Sequence, residues 1–85
     1  MNRLQICIEA LRVLAKQPET QVNRVRVVEM RINEYLGTDP AKWRSLIEPL
    51  RYAINTDAEM RPSESSFWTV AQAYIDVCLS RLPGD

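Results

Sequence analysis

VEMRINEYLGTDPAKWRSLIE, residues 28–48, is the stretch on which the fold turns. One apolar-periodic segment, running through Val28, Ile32, Tyr35 and Leu36, stops at Gly37, and another starts after Asp39. Glycine can enter the left-handed conformation that closes a helix without the steric cost a Cβ brings. Asp39 followed by Pro40 reads as an N-cap and the residue best tolerated at the first helical position, where a missing N–H has no helical partner to lose. Two helices meet at this corner.

Upstream of it, residues 20–36 admit two readings. Val25 and Val27, then Val28, Met30 and Ile32, alternate as a strand does. Length argues the other way, because a continuous segment of this extent exceeds the usual strand of about 5 to 6 residues, and Val22, Val25, Val28, Ile32, Tyr35 and Leu36 share one broad face at ~100° per residue. The segment is therefore read as a second helix. Val27 and Met30 then occupy a second face, which a peripheral helix with one buried stripe does not need; the helix is either central or meets a partner. Arg24 and Arg31, seven apart on one flank, read as a solvated face, with the partner surface as the alternative.

The first helix is expected over 3–16. Asn2 and Gln5 form a capping-box start, and Leu4, Cys7, Ile8, Leu11, Leu14 and Ala15 follow helical spacing. Glu9 and Arg12 fall outside that stripe; Ile6 and Val13 are apolar off it and either widen the buried face or remain for a partner. Pro18 ends the helix. Beyond the corner, Trp43, Leu46, Ile47, Leu50, Ala53 and Ile54 mark a third helix, which Pro49 must kink or break into 40–47 and 49–55. Residues 55–65, NTDAEMRPSES, read as the loop of the molecule, with Ser63, Ser65 and Ser66 as N-cap candidates. The fourth helix carries Phe67, Val70, Ala71, Tyr74, Ile75, Cys78 and Leu82, and residues 83–85 are tail.

At 85 residues the chain makes a single domain, 46% apolar and 26% charged, which is globular composition. Eleven basic and eleven acidic residues cancel, so no overall field concentrates nucleic acid or anionic membrane around the protein. The distribution is uneven: residues 1–55 hold nine bases against six acids, net +3, and residues 56–85 two bases against five acids, net −3. Two cysteines are too few for a disulfide scaffold, no leader is read ahead of the first helix, and no run approaches a membrane span, so the expected location is cytoplasmic with no membrane partner. The absence of His removes the commonest zinc sites and imidazole-based catalysis. Neither a catalytic residue, a cofactor-binding residue nor a metal ligand is expected, and the chain is read as no enzyme.

The corner itself resembles the helix-turn-helix unit of DNA-binding proteins, in which apolar residues stand five and one before the glycine and six and nine after it. Here those are Ile32, Leu36, Trp43 and Leu46. The resemblance implies that Lys42, Arg44 and Ser45, at the start of the second helix of the unit, face base edges. Asn33 stands where a small residue is usual, Thr38 where an apolar one is, and Asp39 and Glu48 put acid on the would-be recognition face. The reading is thus an all-α bundle of four helices, or five if Pro49 breaks the third, with a helix-turn-helix-like corner at Gly37. Its function is that of a small non-enzymatic protein–protein interaction or adaptor module, self-associating as a homodimer through the second helix or meeting another protein through Val27, Met30, Arg24 and Arg31. The alternative is a DNA-binding regulator using residues 28–48.

Overall fold

The protein is described by a computed structural model covering residues 2–17 and 21–82, without the side chains of Gln21 and Val22. Pro18, Val22's side chain and the tail 83–85 lie outside the described residues. Of the described residues 88% are helical, in four α-helices and short 3-10 turns with no strand among them, and none of these helices is long and apolar enough to cross a membrane. α1 spans Arg3–Ala15, α2 Gln21–Leu36, α3 Trp43–Met60 and α4 Ser65–Ser80.

Local chemistry sets these limits. Asn2 Oδ1 accepts from Gln5 N at 2.8 Å and the Gln5 side chain accepts from Asn2 N at 3.3 Å, so a complete capping box starts α1. Gly37 closes α2 with φ +76°, its N–H donating to Asn33 O at 2.9 Å. A Cβ there would be strained by the backbone alone, and it would also lie 3.2 Å from the Arg3 guanidinium. Asp39 accepts from Ala41 N at 3.1 Å and starts a 3-10 turn, Pro40–Lys42, that runs into α3. Two side chains then fix the corner: Trp43 Nε1 donates to Gly37 O at 3.0 Å, and the Tyr35 hydroxyl donates to Leu46 O at 2.8 Å. Among the corner residues, Ile32 and Leu36 are buried while Trp43 and Leu46 pack partly buried against the core.

Three expectations about the second half give way. Of the two outcomes expected of Pro49, the break into 40–47 and 49–55 does not occur: α3 runs through it to Met60. Pro49 and Ser45 both lie on the exposed side, where the carbonyl that loses its amide donor faces water. Residues 55–60 are the last turns of α3 rather than loop, and Pro62–Glu64 form a 3-10 turn leading into α4. The core-facing stripe continues past Ile54, but its next member is Asp57, 2% exposed, which an apolar pattern does not register. The serines do not cap α4, whose N-cap is Glu64 with no side-chain cap bond; the Glu64 carboxylate instead accepts from Trp68 Nε1 at 3.0 Å. That bond lets Trp68, absent from the expected stripe, be fully buried with Phe67 packed edge-on at 5.0 Å.

Side-chain pairs give the topology. Cys7 meets Arg31 and Arg3 meets Tyr35, so α1 and α2 are antiparallel. Arg24 meets Ser66 and Asn33 meets Tyr74, so α2 and α4 run parallel. Asn55 meets Gln72 while Arg51 and Asp76 line the same cleft, so α3 and α4 are antiparallel. α1 packs chiefly on α2 and α3, and α4 chiefly on α3 and α2. The first and last helices are therefore not the neighbours that a simple circular up-down order would make them. The core they enclose includes Leu11, Val28, Ile32, Leu36, Ile47, Leu50, Ile54, Phe67, Trp68 and Ile75.

Arg12, outside the apolar stripe of the first helix, crosses from α1 to α3. Its Nε donates to Asp57 Oδ2 at 2.9 Å and its Nη2 to Oδ1 at 3.2 Å, with Arg61 Nε at 3.5 Å from the same carboxylate. That bidentate bond is the main reason the Arg12 guanidinium holds its proton more tightly than usual. Arg12→Leu should destabilise the fold by about 2–4 kcal/mol in urea titration, because it leaves a buried carboxylate held by one long contact. Asp57→Leu should cost less, since the freed Arg12 side chain is 40% exposed and can hydrate. The double variant should lie closer to the unmutated chain than Arg12→Leu does. Separately, Gly37→Ala should lower stability by about 1–2 kcal/mol in the same titration.

Candidate partner-docking face

The expected docking residues fall in two places. Arg31 lies on the side of α2 that faces α1, and Val27, half-buried, is one turn before it. Met30 is rotated outward from Arg31 by ~100° and is 46% exposed. Arg24 belongs elsewhere: its guanidinium stands over the Phe67 ring at 6.0 Å and donates to Ser66 Oγ at 3.5 Å. The solvated flank expected of Arg24 and Arg31 is thus divided: Arg24 reaches across to α4 while the Arg31 side chain pairs with Glu34 of its own helix, and both are half-buried, each with an Nε that is buried and makes no hydrogen bond.

Between α1 and α2 runs a groove of ≈ 340 Å³, lined by Arg3, Ile6, Cys7, Ala10, Arg31, Glu34 and Tyr35. Ile6 is 58% exposed at its edge, and Val13, one turn beyond Ala10, is 59% exposed. These two are the residues left off the first helix's stripe in the sequence. Seven apart on a helix, they stand one above the other. By helical position Val27 falls on the α1 side of α2, one turn before Arg31, and Met30 falls further outward, so both helices carry apolar residues outside the core on the groove's flanks. The polar groups cluster at the corner end: Arg3 lies over the Tyr35 ring at 5.7 Å, and Arg31 Nη1 is 3.3 Å from Glu34 Oε2.

The groove's floor is chemically quiet. Cys7 Sγ lies 3.8 Å from Arg31 O, and burial, reinforced by Glu34, pushes its thiol up to about 11. Cys78 is also buried and free, and burial raises its pKa too. Their helices pack chiefly on other helices rather than on each other, and neither thiol is in a disulfide. Burial likewise raises the Tyr35 and Tyr74 hydroxyls, and Tyr74 donates to Asn33 Oδ1 at 2.7 Å. Among the described residues no group of three or more His, Cys, Asp or Glu could hold a metal.

At the corner, Lys42, Arg44 and Ser45 are exposed at the start of α3, with Ser45 Oγ donating to Lys42 O at 3.1 Å. Asp39 and Glu48 are exposed around them. Comparison of the chain with protein-family models, curated proteins and solved structures finds no match.

The thiols yield a measurable consequence. A thiol that keeps its proton to about pH 11 in the fold, against an ordinary value of 9.0, contributes stability that is whole below pH 9.0 and is lost as pH rises through about 11. Chemical denaturation at pH 8, 9, 10 and 11 should therefore show falling stability across that window, with a shallower fall in Cys7→Ala. Both thiols should label slowly at neutral pH and rapidly only on unfolding.

Proposed function

We propose that the protein is a small non-enzymatic protein-interaction module that docks its partner on the α1/α2 face. The observation that carries this reading is the apolar strip of Ile6, Ala10, Val13, Val27 and Met30 flanking an open groove. Large aliphatic side chains exposed together on two adjacent helices have no role in the chain's own core, whereas scattered single ones would need no explanation. Helix 2 alone, the surface inferred from sequence, is here joined by α1.

DNA reading through the α2/α3 corner is the second proposal, favoured by the exposure of Lys42, Arg44 and Ser45 at the start of α3. It is the weaker one, because Asp39 and Glu48 stand exposed beside them and would repel phosphate.

The two separate cleanly. Ile6→Asp with Val13→Asp should leave circular dichroism and the melting temperature close to those of the unmutated chain, since both side chains are more than half exposed. The same pair should abolish capture of the partner from extracts of the native host. Partners retained equally by the variant would exclude this face. Met30→Asp should be tolerated by the fold, and Val27→Asp should not. A DNA reader should shift mixed genomic fragments at low salt and lose affinity with a log–log slope of about −0.9 per phosphate neutralised; no shift removes that reading.

A further inference from the structure

The occupant of the α1/α2 face can be narrowed by its shape and charge, an argument that rests on the docking role just proposed. Ile6, Ala10 and Val13 follow one another at helical spacing over two turns of α1, a strip about 10 Å long at 1.5 Å per residue. With Val27 opposite, that is an elongated trough. A compact small molecule would fill the ≈ 340 Å³ depression and leave Val13 and Met30 uncovered, whereas a helix laid lengthwise covers all of them.

Charge then sets the sign of the partner. The corner end of the groove carries Arg3 and Arg31 against one carboxylate, Glu34. Arg3 is exposed with its guanidinium over the face of Tyr35, and the Arg31 side chain, 42% exposed, makes a single 3.3 Å contact through Nη1 with Glu34. Guanidinium donors left over at the rim of an apolar groove suit carboxylates on whatever lies in it. A second copy of this chain does not meet that requirement. Laid about a two-fold axis through the middle of the face, it would bring Arg3 and Arg31 toward the Val13 end of the partner's α1, where the described residues of α1 and α2 offer Lys16 and Arg24 and no carboxylate.

We infer that the groove accepts an amphipathic helix of another protein, with apolar anchors at i, i+3 or i+4, and i+7, and with Asp or Glu at the end that lies over Arg3 and Arg31. The anchors seat against Ile6, Ala10 and Val13, and the acidic end gives the helix its direction along the groove.

The experiment is selection of helical 18-residue peptides from a random display library on the immobilised full chain, followed by fluorescence anisotropy of the enriched peptides. The expected result is enrichment of the stated apolar spacing with acid at one end, and a loss of affinity of at least about tenfold in Arg3→Glu, a residue at the exposed start of α1. A peptide with Lys in place of its terminal acids should recover binding to Arg3→Glu and not to the unmutated chain. Ile6→Asp and Ala10→Arg, each checked for fold by circular dichroism, should abolish both. Enriched helices that bind in the groove but are indifferent to Arg3→Glu would overturn the acidic partner and leave the docking face standing. Binding unaffected by both Ile6→Asp and Ala10→Arg, or no enrichment at all, would overturn the face with it. Sedimentation of the unmutated chain as a dimer that Ile6→Asp dissociates would make the occupant a second copy and equally sink the inference.

Discussion

A carboxylate in the core dictates how the two halves of this chain sit. Asp57 is all but sealed from solvent at the C-terminal end of α3, and a buried carboxylate persists only where charge and hydrogen bonds replace its lost water. Arg12 supplies both from α1, and Arg61, one turn further along, supplies a weaker third contact. Because the planar guanidinium accepts only a narrow geometry, this pairing specifies register in a way that the surrounding Leu, Ile and Val contacts do not. It fixes which level of α1 stands beside which level of α3, and the positions of α2 and α4 follow from their own turns.

The same carboxylate explains where sequence reading stopped working. The corner was legible because glycine, N-cap and first-turn proline are local signals whose meaning does not depend on the rest of the fold; Gly37, Asp39 and Pro40 act there as their chemistry requires. The Asn2–Gln5 box was legible for the same reason. Residues 55–60 were read as loop because their inward position is filled by an acid, and apolar periodicity cannot register an acid whose cation lies 45 residues away in the chain. Trp68 hid differently: it lies on the stripe of α4, but the polar partner that permits its burial, Glu64, belongs to the turn before the helix. Pro49 does not break α3, since a proline on an exposed face costs one hydrogen bond that water can replace.

For the docking face, the residues were visible and their assembly was not. Val27 and Met30 stood out as apolar positions that the stripe of the second helix did not use, and Ile6 and Val13 stood out likewise on the first. That the two sets border one groove depends on the antiparallel register of α1 and α2, which is carried by contacts such as Cys7 with Arg31 that no single-helix pattern contains. Arg3 and Tyr35 were missed because their pairing is tertiary. Arg24 was grouped with Arg31 on helical spacing alone, yet the ends of α2 lean on different neighbours and the two side chains serve different contacts.

The order in which the helices touch has one more consequence. The chain is two hairpins, α1 with α2 and α3 with α4, joined along a seam where α2 meets α4 and the Arg12–Asp57 clasp ties α1 to α3. The groove is lined wholly by residues of the first hairpin. A helix seated there would add a third rod to α1 and α2, the helices that line the groove, so the gain in rigidity falls first on one hairpin. The other could sense that the groove is filled through two charged contacts between the hairpins, the Arg12–Asp57 clasp and Arg24 against Ser66 and Phe67.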